Sequence, residues 1–391
     1  MNKSVADRAA IECPVQHVDR RRPDRRDDVN SSSPTPPIRP QRHLSPDPLP
    51  EGEAGVTFVV GAPRSGTTWL AKILDSHPDV VYRHEPDEWV PSPTNLDETN
   101  INALVSQWIA DHSLRTSAKR PFFPKSWQTT PARLLRSAVA GALGGLPLAP
   151  DLVARLPLPD LGTVERARVV IKTVRWCDGI GVAARALPTS RTILIMRQPG
   201  AQVFSLMRGA RERKFQLREG GDLPLDLVRA MACAASYGID GTAFARLPEA
   251  ARYAWGWVAF NETAEAALAG LPNAWIIRYE DLCADPEHVA REAMAFAGLT
   301  WNTQTADFVR RSARHVGPSA FYGVFQNAAL VCQRWRTEMN EDDRRAVEAV
   351  AGIVSVARRW QVTEPEPACR SNTDTVPPSY RSTIGDSSAA A

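Results

Sequence analysis

Gly61-Ala-Pro-Arg-Ser-Gly-Thr-Thr68 is the stretch on which the reading of this chain turns. The apolar run Val56-Thr-Phe-Val-Val60 leads into it, and Trp69-Leu-Ala-Lys-Ile-Leu-Asp75 leaves it with Leu70, Ile73 and Leu74 at helical spacing. A strand, a glycine turn and a helix N-terminus aim backbone N–H groups and the positive end of a helix dipole at one point, and Ser65, Thr67 and Thr68 add hydroxyl donors. Such a loop binds a phosphate or a sulfonate. The lysine that reaches the β/γ-phosphates of ATP in a Walker A loop is replaced here by Thr67, and Arg64 stands on the other side of the turn. The expected ligand is a phosphorylated donor other than ATP.

Working outward, short β-branched runs recur at 56–60, 169–173, 192–196 and 274–278, separated by helix-length segments. This alternation predicts an α/β, P-loop-type three-layer fold with a central parallel sheet flanked by helices. Ligands of such sheets bind beyond the carboxyl ends of the strands, which directs attention to the segments that begin at Gly61, Lys172, Arg197 and Tyr279. Residues 1–54 cluster Pro, Ser and Arg and cannot bury a core, so they are expected to be a disordered tail, as are 363–391; the folded domain is expected over 55–362.

Net charge and thiols narrow the class. A charge of +3 over 391 residues gives no case for a nucleic-acid partner. Six cysteines are scattered without a C-x-x-C pair or metal-ligand spacing, which points to free thiols and no structural zinc. The first fifty residues hold no apolar signal region, so a cytoplasmic protein is expected. The apolar stretch 134–161 is interrupted by Pro147, Pro150, Asp151 and Arg155 before the roughly 20 residues a spanning helix needs. A covering helix with an irregular lid is expected there, with peripheral contact to a membrane surface or lipid-like acceptor as the lesser reading.

A second site signal is Arg197, directly after Ile193-Leu-Ile-Met196, with Ser205 eight residues on. A guanidinium fork and a hydroxyl at that spacing can clamp one phosphate, and beside the lysine-free loop they imply a donor with two separated phosphate-type groups. With Tyr279-Glu-Asp-Leu282 and the late Gln333-Arg-Trp-Arg336, these segments resemble the sulfotransferase superfamily over residues 56 to about 350. The resemblance implies 3′-phosphoadenosine-5′-phosphosulfate (PAPS) as donor and PAP as its product. It assigns Arg64, Ser65, Gly66, Thr67, Thr68 and Trp69 to the 5′-phosphosulfate loop, and Arg197 and Ser205 to the 3′-phosphate.

The run Leu74-Asp-Ser-His-Pro-Asp-Val80 followed by Glu85-Pro86 is similar to the tyrosylprotein and Golgi carbohydrate branches. That likeness implies Glu85 as base, Lys172 as catalytic lysine 25 residues before Arg197, and Ser319 as a supporting hydroxyl 16 residues before Trp335. One departure stands out: Arg197-Gln-Pro-Gly200 replaces the family's usual Arg-Asp-Pro-Arg.

The same roles can be argued from chemistry. Sulfuryl transfer to a hydroxyl needs a base for the acceptor proton, cations to offset charge on the bridging oxygen, and in-line placement. Protein cations can do this work without a metal. Glu85 is the base of choice, with His84 and His77 as rivals; His77 lies in a helix-ending turn and reads better as its cap. Arg175 lies near Lys172, either assisting it or in an ion pair. Trp89, Trp127, Trp255 and Trp257 are candidates for an acceptor platform or for core packing. Arg310, Arg311 and Arg314 read as a solvated helix face, with one of them reaching the cofactor phosphates as the lesser reading, and the basic run 208–218 either favours an acidic acceptor or is solvated.

The expected activity is sulfuryl transfer to a hydroxyl of a carbohydrate, glycolipid or small metabolite, with protein tyrosine as the second acceptor. A P-loop kinase-like phosphoryl transferase is the alternative from another class; it is disfavoured by Thr67 and by the absence of an acidic strand end for magnesium. A cofactor-binding scaffold without catalysis is the third.

Overall fold

The computed structural model describes residues 55–88, 96–144, 150–158, 160, 167–212, 225–315 and 323–361. All of these lie in the second of two compact units, which begins at Leu44. Five strands form one parallel sheet: β1 (Val56–Val60), β2 (Val80–His84), β3 (Arg168–Thr173), β4 (Arg191–Met196) and β5 (Ala274–Arg278), in the order β2-β3-β1-β4-β5. The strand that feeds the phosphate loop is therefore the middle one.

The alternation of side chains across β1 explains the three layers. Phe58 and Val60 face one side, where they meet Ile171, Leu194, Met196 and the tryptophans Trp108, Trp176, Trp255 and Trp257. Val59 faces the other, with Val170, Ile193, Ile195 and Ile277. The helix Thr67–Asp75 covers that second face through Leu70, Ile73 and Leu74, all fully buried. Burying three such aliphatic side chains stabilises the layer by about 5–9 kcal/mol before entropy is counted. The long helix Glu249–Leu268 covers the first face. The three central strands β3, β1 and β4 are buried on both faces and read as near-continuous apolar runs, and the half-buried edge strand β5 is legible through Ala274-Trp-Ile-Ile277.

β2 was not expected. Its sequence, Val-Val-Tyr-Arg-His, carries an arginine that is only 2% exposed. Arg83 is paired with Asp160 at 2.7 Å and donates to the Ile109 carbonyl at 2.8 Å, so a charge that looks like surface in the sequence is neutralised in the interior. Trp255 and Trp257 are 0% and 2% exposed and form core, which removes them as an acceptor platform. Helices Thr130–Gly144 and Pro150–Arg155 occupy part of the apolar stretch. Among the described residues no helix is long and apolar enough to cross a membrane. The expected tails at 1–54 and 363–391, Ser319, Trp89 and residues 213–218 of the basic run lie outside the described residues.

Candidate active site

The phosphate loop closes on itself through Ser65 N–H donating to the Ala62 carbonyl at 3.0 Å. Arg64 and Gly66 take left-handed backbone, φ 71° and 105°. Gly66 caps the helix with no side-chain cap, and in the first turn the Trp69 N–H donates to the Gly66 carbonyl at 3.0 Å, which leaves the Thr67 and Thr68 N–H groups without a capping side chain. A Cβ on Gly66 would come within 2.2 Å of the Tyr279 ring, and one on Gly61 within 2.4 Å of the Ile195 carbonyl. The Ser65 hydroxyl is buried and has no protein partner. Thr67 is buried in the first turn and Thr68 half-buried beside it.

Trp69 has another place. Its indole is 8% exposed within the core, with Nε1 donating to Ser312 Oγ at 2.9 Å, so it packs beneath the loop rather than at its mouth.

The expected clamp pair does not meet directly; both members meet Arg64. Ser205 Oγ accepts from Arg64 Nε at 3.0 Å, and Arg197 donates to the Arg64 carbonyl at 3.2 Å and to the Val331 carbonyl at 3.1 Å. Arg197 lies over the Tyr279 ring at 4.7 Å, and its Nε is buried without a partner. The Tyr279–Leu282 segment fixes this corner: Tyr279 packs against Gly66, and Glu280 accepts the Gln198 backbone N–H at 3.0 Å. The departure at Gly200 also has a physical reason, since a Cβ there would come within 2.6 Å of the Trp335 ring.

On the other side of β1, His84 and Lys172 are register partners of β2 and β3. The Glu85 backbone N–H donates to the Lys172 carbonyl at 2.7 Å, and Lys172 Nζ forms an ion pair with Glu85 Oε1. Burial alone would push the Glu85 carboxyl up; the Lys172 ammonium reverses this and holds it well below the usual carboxylate range. Glu85 is thus ionised at neutral pH, in the protonation state a base requires.

Residues that sequence reasoning missed crowd this pair. Asp87 sits in the 3₁₀ turn Pro86–Glu88 and accepts from Thr173 Oγ1 at 2.6 Å; burial pushes it up to about 6 against that hydrogen bond. Lys119 stands among Lys172, Glu85, Arg64 and Arg115, and burial followed by Lys172 lowers its pKa. Their only sequence signal was charge near an apolar run, and nothing local places 119 beside 172.

The rival bases separate. His77 is buried and accepts the Asp79 backbone N–H at 3.1 Å, a role in the turn after the helix. His84 stays beside Glu85, 3.8 Å from Oε1. Arg175 is half exposed, 3.9 Å from Glu88, which also pairs with Arg115. Arg310 pairs with Asp307 on an exposed helix face. The four described cysteines are free thiols, and no metal-ligand cluster occurs among the described residues.

What converges at the carboxyl edge of the sheet is the glycine loop with Arg64, Ser205 and Arg197 beside it, and a carboxylate–lysine pair at the end of β2 and β3. Known proteins are similar to this chain. Mouse carbohydrate sulfotransferase 5 is 25% identical over 346 residues, covering 80% of this chain and 82% of its own length. Among solved structures, a sulfotransferase from Alicyclobacillus acidocaldarius superposes with a TM-score of 0.36 at 15% identity, over 80% of this chain and 98% of that one. Mouse sulfotransferase SULT7A1, solved with PAP, superposes with a TM-score of 0.38 at 15% identity, over 80% and 90%. The model of the sulfotransferase family matches residues 57–303, well over half of the chain, and the chain belongs to that family.

Proposed function

We propose that this protein transfers a sulfuryl group from PAPS to a hydroxyl, with Glu85 as base. The observation that carries the reading is the Glu85–Lys172 pair standing at the strand ends beside a phosphate loop that has threonine where ATP-using loops have lysine. The residues suit the donor: the Ser65 hydroxyl and Arg197 Nε are buried donors without protein partners, and Gly66 leaves room that any side chain would take. Arg64, Ser65, Thr67, Thr68 and the loop N–H groups would hold its 5′-phosphosulfate, Arg197 and Ser205 its 3′-phosphate. When bound, PAPS supplies the sulfuryl group and leaves as PAP.

Glu85 takes the proton of the acceptor hydroxyl. Lys172 restrains that carboxylate in the resting site and is the buried cation nearest to serve growing negative charge, so its withdrawal from Oε1 raises the proton affinity of Glu85 at the moment it is needed. Arg64, tied to both Ser205 and Arg197, couples the two halves of the cradle. Likeness to a carbohydrate sulfotransferase supports a carbohydrate, glycolipid or other hydroxyl-bearing metabolite as acceptor. The free thiols support a cytoplasmic setting.

The test offers labelled PAPS and, separately, labelled ATP with carbohydrate, glycolipid and phenolic acceptors, and measures PAP binding by calorimetry. Label from PAPS on an acceptor together with PAP binding is the expected result. Transfer from ATP, or neither transfer nor PAP binding, contradicts it.

A further inference from the structure

Tyr82, His84 and Glu85 stand in file where β2 ends. Tyr82 and His84 share one face of the strand, and Tyr82 Oη lies 2.8 Å from His84 Nδ1. Strand alternation would send residue 85 to the opposite face. Glu85 instead has left-handed backbone, φ 50°, which ends the alternation and lets its carboxylate return to the imidazole, with Oε1 3.8 Å from His84 Nε2. Left-handed backbone costs a non-glycine residue of order 1 kcal/mol, so the arrangement is held by its surroundings.

The direction of that hydrogen bond follows from the Glu85 carboxylate, which stands by Nε2 and favours the imidazole proton there, leaving Nδ1 to accept from the phenol. Tyr82 is 7% exposed, and burial followed by the nearby carboxylates of Asp75 and Glu85 raises its pKa well above that of a free phenol, so it keeps its proton. The Lys72 ammonium sits over its ring, 5.0 Å from the centroid. Around His84, burial outweighs Glu85, while Lys172, Lys119 and Arg115 also disfavour charge, so the imidazole stays neutral. A phenol that donates to Nδ1 leaves the single imidazole proton on Nε2, facing Glu85 Oε1. That oxygen already accepts from Lys172, and Oε2 is the oxygen left for the acceptor's proton.

We propose that Tyr82 and His84 are positioning residues for Glu85: Tyr82 fixes the imidazole as its Nε2–H tautomer, and that N–H takes over Oε1 when Lys172 turns toward the departing oxygen. Without it, the carboxylate would be free to rotate as its lysine partner leaves. The inference rests on Glu85 being the base. At 3.8 Å the imidazole is an electrostatic neighbour in the resting site, and the hydrogen bond forms only as Lys172 withdraws.

Three variants test this in the full chain: Tyr82→Phe, His84→Gln, whose amide can still donate toward Glu85, and His84→Leu, which cannot. Tyr82→Phe should lower kcat about tenfold, the upper end for one net hydrogen bond between neutral groups, with acceptor KM and PAP affinity within about twofold. His84→Gln should recover most of the activity lost in His84→Leu. In the His84→Gln background Tyr82→Phe should cost nothing further, since the phenol acts only through the imidazole. Nitrogen NMR of histidine-labelled protein, with the His84 signal assigned by its loss in His84→Gln, should show Nε2–H in the unmutated chain and a mixed tautomer in Tyr82→Phe. Unchanged kcat in Tyr82→Phe, a phenol effect undiminished in the His84→Gln background, or an Nδ1–H tautomer in the unmutated chain would overturn the proposal. Full activity of Glu85→Gln, or an unmutated chain that transfers to no acceptor, would overturn the underlying assignment of the base instead.

Discussion

Thr67 lies 3% exposed in the first turn of the helix, in a loop whose cations are Arg64 and Arg197, the latter donating to the Arg64 carbonyl. Gly66 is the residue this loop can least exchange. Gly66→Ala would have to hold φ near 105° and push the Tyr279 ring aside, so we expect a loss of at least about 2 kcal/mol and of PAP binding together, read by urea unfolding and calorimetry. Asp87 gives a pH signature. Its folded pKa of about 6 exceeds the unfolded value near 3.8, so the folded state binds the extra proton between those values and stability falls as pH rises from about 4 to 6. Asp87→Asn should therefore flatten that decline and raise stability at pH 7.5 by about 1–3 kcal/mol, measured by unfolding across pH. Glu85 was legible in the sequence through the run from Leu74 to Pro86, and Lys172 through its 25-residue spacing from Arg197. Asp87 and Lys119 had no such anchor, because what makes them unusual is burial against segments remote in the chain.

At the scale of elements, β2 is the instructive case. The strand supplies Glu85 its register with Lys172, yet it escaped sequence reading because Arg83 and His84 break the apolar pattern. Arg83 belongs there because Asp160 meets it, with His112 at 3.2 Å from the same guanidinium. Asp160→Ala strands that buried charge, and we expect it to cost about 3–5 kcal/mol by urea unfolding. PAP affinity should survive in whatever fraction remains folded, since the cradle hangs from β1 and β4. The other strands were legible because their runs stay apolar, in β1, β3 and β4 with both faces covered and in the edge strand β5 with partial cover. The loop's helix was legible from Leu70, Ile73 and Leu74, whereas buried Lys72, held by Asp75 and the Lys119 carbonyl, was not.

Across the whole molecule, one strand order brings the chemistry together: β1 lies between β3 and β4, so Gly61, Lys172 and Arg197 come from neighbouring strands to the same edge. Because the cradle exists only in the folded chain, PAP at one hundred times its dissociation constant should stabilise the protein by about 2.7 kcal/mol. Arg197→Ala at the same PAP concentration should lose most of that increment, measured by thermal unfolding. The central claim is that Glu85 removes the acceptor proton during sulfuryl transfer, and the most direct measurement compares the unmutated chain with Glu85→Gln for transfer of labelled sulfuryl from PAPS, with PAP affinity measured on both. The account predicts that Glu85→Gln lowers kcat by about 10²–10⁴ while PAP affinity changes less than about twofold. Equal transfer rates in the two proteins would contradict it.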